Sequence, residues 1–186
     1  LGSVSASPLQ MASVFAAIAN SGQQCTPQSI ESVTDRDENV LKEFAADCTE
    51  VISPDVANKT AALLTASAGQ YYTSTRLGGG RPFAAKSGTT DGHANTWLTG
   101  FTPSVVTSAW VGHGENSSQE VGSVTNNGKY YSEIYGETFV GQNIWAPYMT
   151  QILAGTPVEN VSSANIGATN SNRSSTPTPS PTSSGH

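Results

Sequence analysis

Apolar residues along the chain change their spacing several times, and each change marks an element. Ser7-Pro8 offers a capping hydroxyl followed by proline, a helix start. Leu9, Met11, Ala12, Phe15, Ile18 and Ala19 then keep a helical stripe, which Gly22 ends. Residues 29–34 and 40–44 read as a hairpin around the polar turn Asp35-Arg36-Asp37-Glu38-Asn39. Ser53-Pro54-Asp55 repeats the helix start. The stripe Val56, Ala57, Thr60, Ala61, Leu63 and Leu64 predicts a helix to about Ser67. Residues 68–82, with Tyr71, Tyr72 and the triple glycine 78–80, read as loop. Three strand-like runs follow, at 82–89, 97–102 and 105–111, separated by Asp91-Gly92 and by Thr102-Pro103-Ser104. Such turns between β-rich runs predict three antiparallel strands. Residues 113–137 read as polar loop. Ile144, Trp145, Tyr148, Met149, Ile152 and Leu153 predict a last helix from Gly141 to Ala154 with one buried face. The class is α+β, an antiparallel sheet packed by helices.

From about Val161 the pattern stops. Residues 161–186 hold many Ser, Thr and Pro and almost no apolar side chains. They cannot bury enough surface to offset chain entropy, so two parts are expected: a folded unit over 1–160 and a disordered tail over 161–186.

Composition narrows the function classes. The 186 residues carry a net charge of −6, and the 8 Lys and Arg are scattered. An acidic chain without a basic patch argues against nucleic acid. No apolar run reaches the ~20 residues of a membrane span. There is neither an initiating Met nor a signal peptide, and the chain is expected to be a fragment of a longer protein. Cys25 and Cys48 flank the first hairpin and are expected to form a disulfide, with a buried thiol pair as the alternative; two cysteines with no nearby histidine make a poor metal site. The acidic turn 35–39 lacks the spacing of a dedicated Ca²⁺ loop and reads as a solvated turn. No metal or cofactor is expected. The triple glycine lacks the Gly-Lys-Ser/Thr ending of a phosphate loop. His93 and His113, the latter near Glu115, read as loop histidines rather than acid/base groups.

The candidate chemistry is Lys86-Ser87-Gly88-Thr89-Thr90 at the end of the first strand of the sheet. Side chains alternate faces on a strand, so Ser87 and Thr89 share one face and Lys86 and Gly88 the other. Two hydroxyls about 7 Å apart can grip a carboxylate or amide. Gly88 leaves room for close approach. On an edge strand the free N–H groups can pair with an extended peptide. The same residues would also serve as the polar end of any strand.

The stretch resembles the K-[ST]-G motif of the penicillin-binding proteins and serine β-lactamases. Its continuation, Asp91 to Gly112 with Phe101-Thr102-Pro103 and Trp110-Val111-Gly112, is most similar to the class A, bifunctional penicillin-binding proteins. Residues 7–12 and 19–22 resemble the helix that follows the catalytic core of that family. The resemblance covers about residues 1–155. Asn95 stands where Asp is common, and Leu98 where an aromatic is common.

The resemblance implies the C-terminal portion of a penicillin-binding/serine β-lactamase-like transpeptidase fold. It implies a D-Ala-D-Ala transpeptidase that cross-links peptidoglycan stem peptides through a serine acyl-enzyme and is trapped by β-lactam antibiotics. Carried over by position, Lys86 supplies positive charge, and Ser87 and Thr89 bind the terminal carboxylate. The Thr89 N–H forms half of the oxyanion hole, while Gly88 and Thr90 complete the binding strand. The family also needs S-x-x-K and S-x-N motifs. No serine here has lysine three residues later, and Ser163-Ala164-Asn165 fits the second only by composition. The nucleophile is therefore expected in an upstream part of the same protein, with a membrane anchor and a glycosyltransferase domain, placing the site on the extracytoplasmic face of a bacterial membrane. A fragment without the serine is expected to be inactive alone. Three alternatives stay open. A class B penicillin-binding protein would show alanine in place of Thr90. A β-lactamase would lack the Trp-Leu-Thr-Gly-Phe-Thr-Pro continuation. A non-catalytic penicillin-sensing or peptidoglycan-binding module would bind without turnover.

Overall fold

The computed structural model describes residues 4–116 and 118–161. Its centre is an antiparallel sheet of β5 (Ala84–Thr89), β6 (Asn95–Phe101) and β7 (Val106–Gly112), in the order β5-β6-β7. The register pairs Ala84 with Phe101, Ser87 with Leu98 and Thr89 with Thr96, while Trp97 opposes Trp110. The second strand begins at Asn95, earlier than the run from Trp97 suggests. Strand alternation separates two cores. Ala84 and Phe101 face one layer with Phe15, Ala61 and Val161; Ala85 and Leu98 face another with Ile134, Val140, Trp145 and Met149. Val161, the first residue of the expected tail, is thus buried, and residues 162–186 lie outside the described part.

The first layer is made by α1 (Pro8–Ala19) and α2 (Pro54–Tyr71). Ser7 and Gln10 form a reciprocal cap at the start of α1, each side chain taking the other's backbone N–H. Gly22 follows the helix at φ 93°, a turn a side chain would resist. Phe15 meets Phe101 edge-on at 6.4 Å, an arrangement worth about 1 kcal/mol beyond burial. Leu9, expected in the stripe, is exposed, while Met11, Phe15, Ile18 and Ala19 pack in this layer. Helix α2 runs to Tyr71, beyond the expected end near Ser67. Its buried residues are Ala57, Ala61 and Ala68, while Val56 and Leu63 are exposed. Small side chains let the helix lie close to β5, which larger ones on that row would prevent.

Between α1 and α2 stands a solvent-exposed arm. Strands β1 (Gln23–Cys25) and β4 (Cys48–Glu50) pair antiparallel and are stapled by a Cys25–Cys48 disulfide. Strands β2 (Ser32–Thr34) and β3 (Val40–Glu43) form the hairpin beyond it. The Asp35 carboxylate accepts the N–H groups of Asp37 and Asn39 and so shapes the acidic turn.

On the other face, residues 113–137 are not all loop. Strands β8 (Val124–Asn126) and β9 (Lys129–Tyr131) form a hairpin around Asn127-Gly128, both with positive φ. That Asn-Gly pair is a hairpin signal; the short polar strands on either side hide it. The last helix also begins earlier than expected. A widely wound segment spans Gly136–Trp145, where the Ala146 N–H reaches back five residues to the Gly141 carbonyl, and α3 continues over Ala146–Ile152. Pro147 lacks an N–H and crowds the carbonyl four residues back, which the wider winding relieves. Of the expected buried stripe, Trp145, Met149 and Leu153 are buried, whereas Ile144, Tyr148 and Ile152 remain exposed. Gly100 makes room for this helix: a Cβ there would lie 2.8 Å from Trp145 Cζ2 and 2.7 Å from the Ala84 carbonyl oxygen. No helix among the described residues is long and apolar enough to cross a membrane.

Candidate active site

Strand β5 is an edge of the sheet, so alternate N–H groups face away from β6. The Ser87 N–H shows which set this is: it donates outward to the Tyr72 hydroxyl at 2.8 Å. Thr90, in the other set, gives its N–H to the Asn95 carbonyl across the turn at 3.0 Å. By the same alternation the Thr89 N–H faces the outer edge. A cavity of about 500 Å³ lies along this strand, lined by Lys86, Ser87, Gly88, Thr89, Thr90 and Trp97, with Met11 and Phe15 of α1 also contributing.

The structure brings all five motif residues to that cavity, in different environments. Lys86 is exposed, and its Nζ donates to the Ser87 carbonyl at 2.9 Å, which holds the charge against the strand. Gly88 opposes Trp97, and a Cβ there would meet only Trp97 Cβ, at 3.7 Å. None of the described neighbours requires the glycine; the space it leaves belongs to the cavity. Thr90 faces the cavity, but its hydroxyl accepts the Asn95 N–H at 2.9 Å and closes the β5–β6 turn. Trp97 and Trp110 pack at 6.1 Å, and Trp110 Nε1 donates to Asn95 Oδ1 at 3.1 Å. The asparagine that stands for the more common aspartate is therefore part of the wall beside the turn.

Ser87 and Thr89 do share a face, the same one as their cross-strand partners Leu98 and Thr96. Each hydroxyl oxygen is already an acceptor. Ser87 Oγ accepts the Tyr72 O–H at 3.2 Å, and Thr89 Oγ1 accepts the Gly136 N–H at 3.3 Å. A hydroxyl has one proton and two lone pairs, so both keep a proton to donate. The pair is thus suited to an anionic acceptor, more than to a donor. Gly136 must be glycine for this. A Cβ at that position would lie 2.1 Å from the Trp97 carbonyl oxygen and 2.7 Å from Ser87 Cβ.

Sequence reasoning missed Tyr72 and Gly136. Tyr72 was hidden in a stretch read as loop, and Gly136 is 47 positions from Thr89 with no local signal. It also missed Arg81, whose guanidinium donates to the carbonyls of Leu153, Thr156 and Pro157 and ties the entry of β5 to the end of α3. Buried Thr75 donates to the Glu137 carbonyl at 3.3 Å and anchors the same segment as Gly136. His93 has φ 53° and packs edge-on against Tyr135 at 4.6 Å. The Tyr135 hydroxyl donates to Glu133 at 2.9 Å, and that hydrogen bond and charge hold its phenol above the usual tyrosine range. His113 lines an adjoining hollow with Asn95 and Trp110. No group of three or more His, Cys, Asp or Glu among the described residues is placed to hold a metal.

Comparison with known proteins places this geometry. The family described as the penicillin binding protein transpeptidase domain matches residues 1–136. Penicillin-binding protein 1A of Mycolicibacterium smegmatis is 34% identical over 166 residues, covering 86% of this chain and 20% of that protein. Its namesake in Aquifex aeolicus is 30% identical over 159 residues, with the same coverage of 86% and 20%. The chain thus spans about a fifth of the length of these relatives. Among solved structures, PonA1 of Mycobacterium tuberculosis in complex with penicillin V has a TM-score of 0.69 at 32% identity, covering 83% of this chain and 40% of that one. Penicillin-binding protein 1A of Haemophilus influenzae has a TM-score of 0.69 at 20% identity, covering 87% and 28%, a likeness of fold.

Proposed function

The chain belongs to the penicillin-binding protein transpeptidase family, and on that premise we propose that it forms one wall of a D-Ala-D-Ala transpeptidase site. A serine supplied by the part of the protein outside this chain attacks the carbonyl of the penultimate D-Ala of a stem peptide. The terminal D-Ala leaves, an acyl-enzyme forms, and an amine from a neighbouring strand resolves it into the cross-link. β-Lactams enter the same site and leave the serine acylated. The relative crystallised with penicillin V supports that part of the reading.

The observation that carries the proposal is the outer edge of β5, along which Lys86, Ser87 and Thr89 line one cavity. Lys86 sets a positive charge beside the reacting groups. Ser87 and Thr89 donate their remaining hydroxyl protons to the terminal carboxylate. The outward Thr89 N–H supplies half of the oxyanion hole, a donor typically worth ~3 kcal/mol in such sites. The site works on the extracytoplasmic side of the membrane, where its polymer substrate lies and where the Cys25–Cys48 disulfide is favoured.

Labelling with fluorescent penicillin tests this, first on the chain alone and then on the full-length protein. Labelling that appears only in the full-length protein is the expected result. Labelling of the isolated chain would mean a nucleophile within these residues and would overturn the shared-site account. No labelling in either would favour a second reading, a non-catalytic peptidoglycan-binding module.

A further inference from the structure

Nothing in the mechanism above uses the hydroxyl of Tyr72. This residue caps the C-terminus of α2 and is 4% exposed, with its ring packed in the core that holds Ala68, Leu77 and Ala85. A buried phenol needs a partner for its polar end. Both partners of Tyr72 belong to one residue of the motif: it accepts the Ser87 N–H at 2.8 Å and donates its proton to Ser87 Oγ at 3.2 Å. The consequence for Ser87 is directional. With one lone pair filled by Tyr72, the Ser87 hydroxyl keeps its proton to donate, and Ser87 is among the residues that line the cavity. The consequence for the strand is a stop. The outward N–H of Ser87 is taken, so an extended ligand adding to the β5 edge finds the Thr89 N–H open and the Ser87 N–H closed.

We propose that Tyr72 is a positioning residue for ligand recognition: it aims the Ser87 hydroxyl as a donor to the ligand carboxylate and ends the strand-addition groove at Thr89. The assignment rests on the transpeptidase reading above.

The test is acylation of the full-length protein by penicillin V, resolved into the dissociation constant of the initial complex and the acylation rate constant. Tyr72→Phe keeps the ring in the core and removes only the hydroxyl. It should weaken the initial complex roughly 3- to 10-fold, the scale of one neutral hydrogen bond, and change the acylation rate constant less than ~2-fold. In a Ser87→Ala background the same substitution should add little, because the group it orients is gone. Any general loss of stability would act in both backgrounds and cancel in that comparison. Equal losses in both backgrounds, no loss in either, or a loss confined to the acylation rate constant would overturn the assignment. A wild-type protein that penicillin V neither binds nor acylates would sink the transpeptidase reading and this assignment with it. Acylation of the wild type with an unchanged dissociation constant of the initial complex in Tyr72→Phe would sink the assignment alone.

Discussion

The Gly136 N–H donates to Thr89 Oγ1 at 3.3 Å, joining the start of the last helical segment to the motif strand. The contact exists because nothing larger than hydrogen fits at residue 136, where a Cβ would lie 2.1 Å from the Trp97 carbonyl oxygen. Gly136→Ala should therefore push the segment off β5. The expected cost is about 1–3 kcal/mol of stability, the usual range for overpacking, read from urea denaturation. Penicillin labelling of the full-length protein should fall as well. An unchanged denaturation midpoint would show that the segment can shift freely, and that it does not hold Thr89.

Lys86 is exposed, and among the described residues its ammonium bonds only to the adjacent Ser87 carbonyl, so the fold has little need of its charge. Lys86→Ala should leave stability within about 0.5 kcal/mol. It should slow acylation of the full-length protein by ~10²-fold or more, as loss of a charge-stabilising group in an active site does. Equal acylation rates for wild type and variant would remove Lys86 from the mechanism.

Arg81 spans three carbonyls at the end of α3, with 2.5 Å to Pro157 and 3.0 Å to Leu153. The planar fork reaches several acceptors at once, and the Leu153 carbonyl among them is at the negative end of the helix. Arg81→Ala should cost about 2 kcal/mol, and Arg81→Lys should recover only part, since an ammonium cannot match the fork. Chemical denaturation of the two variants checks both the size and the order.

The Cys25–Cys48 bond closes a separation of 23 residues at the base of the arm. A loop of that size corresponds to about 3 kcal/mol in the chain-entropy account. Reduction should speed amide exchange across residues 23–50 and lower the melting temperature. Because the arm is exposed and apart from the motif cavity, β-lactam labelling of the full-length protein should change little. An intact mass showing two free thiols in the unreduced protein would cancel this prediction.

The Asp35 carboxyl is held below the usual carboxylate range, chiefly by the Asn39 side-chain amide and then by the Asn39 and Asp37 N–H groups. A depressed folded pKa means that the ionised form supports the turn. The support is complete above the unfolded value and is lost as pH falls through the folded one. In an NMR titration the Asp37 and Asn39 amide signals should move together with the Asp35 carboxyl, at a midpoint below that of an ordinary aspartate. Asp35→Asn should abolish that transition.

Elements whose causes are local were readable from the chain. The Ser-Pro starts at residues 7 and 53 place two helices, and the turns at 91–92 and 102–104 place three antiparallel strands with the motif on the first. Where the cause was distant, local pattern misled. Gly136 and Gly141 argue against helix in isolation. In the fold they let a helical segment lie against Trp97 and Thr75, closer than any larger side chain would allow. The stripe Ile144, Tyr148 and Ile152 is as apolar as its neighbour, yet it is the row at 145, 149 and 153 that is buried.

The sequence by itself determined the family and the identity of the motif residues, because Lys86-Ser87-Gly88-Thr89 and the strand pattern after it are contiguous and carry their own turn chemistry. Tertiary structure alone decided how those residues are held. Tyr72 and Gly136 approach β5 from 15 and 47 positions away, and their hydrogen bonds set which protons of Ser87 and Thr89 remain to be given. Spacing along a chain cannot express that choice. It depends on which donors and acceptors meet when two separately patterned segments pack against the same edge strand.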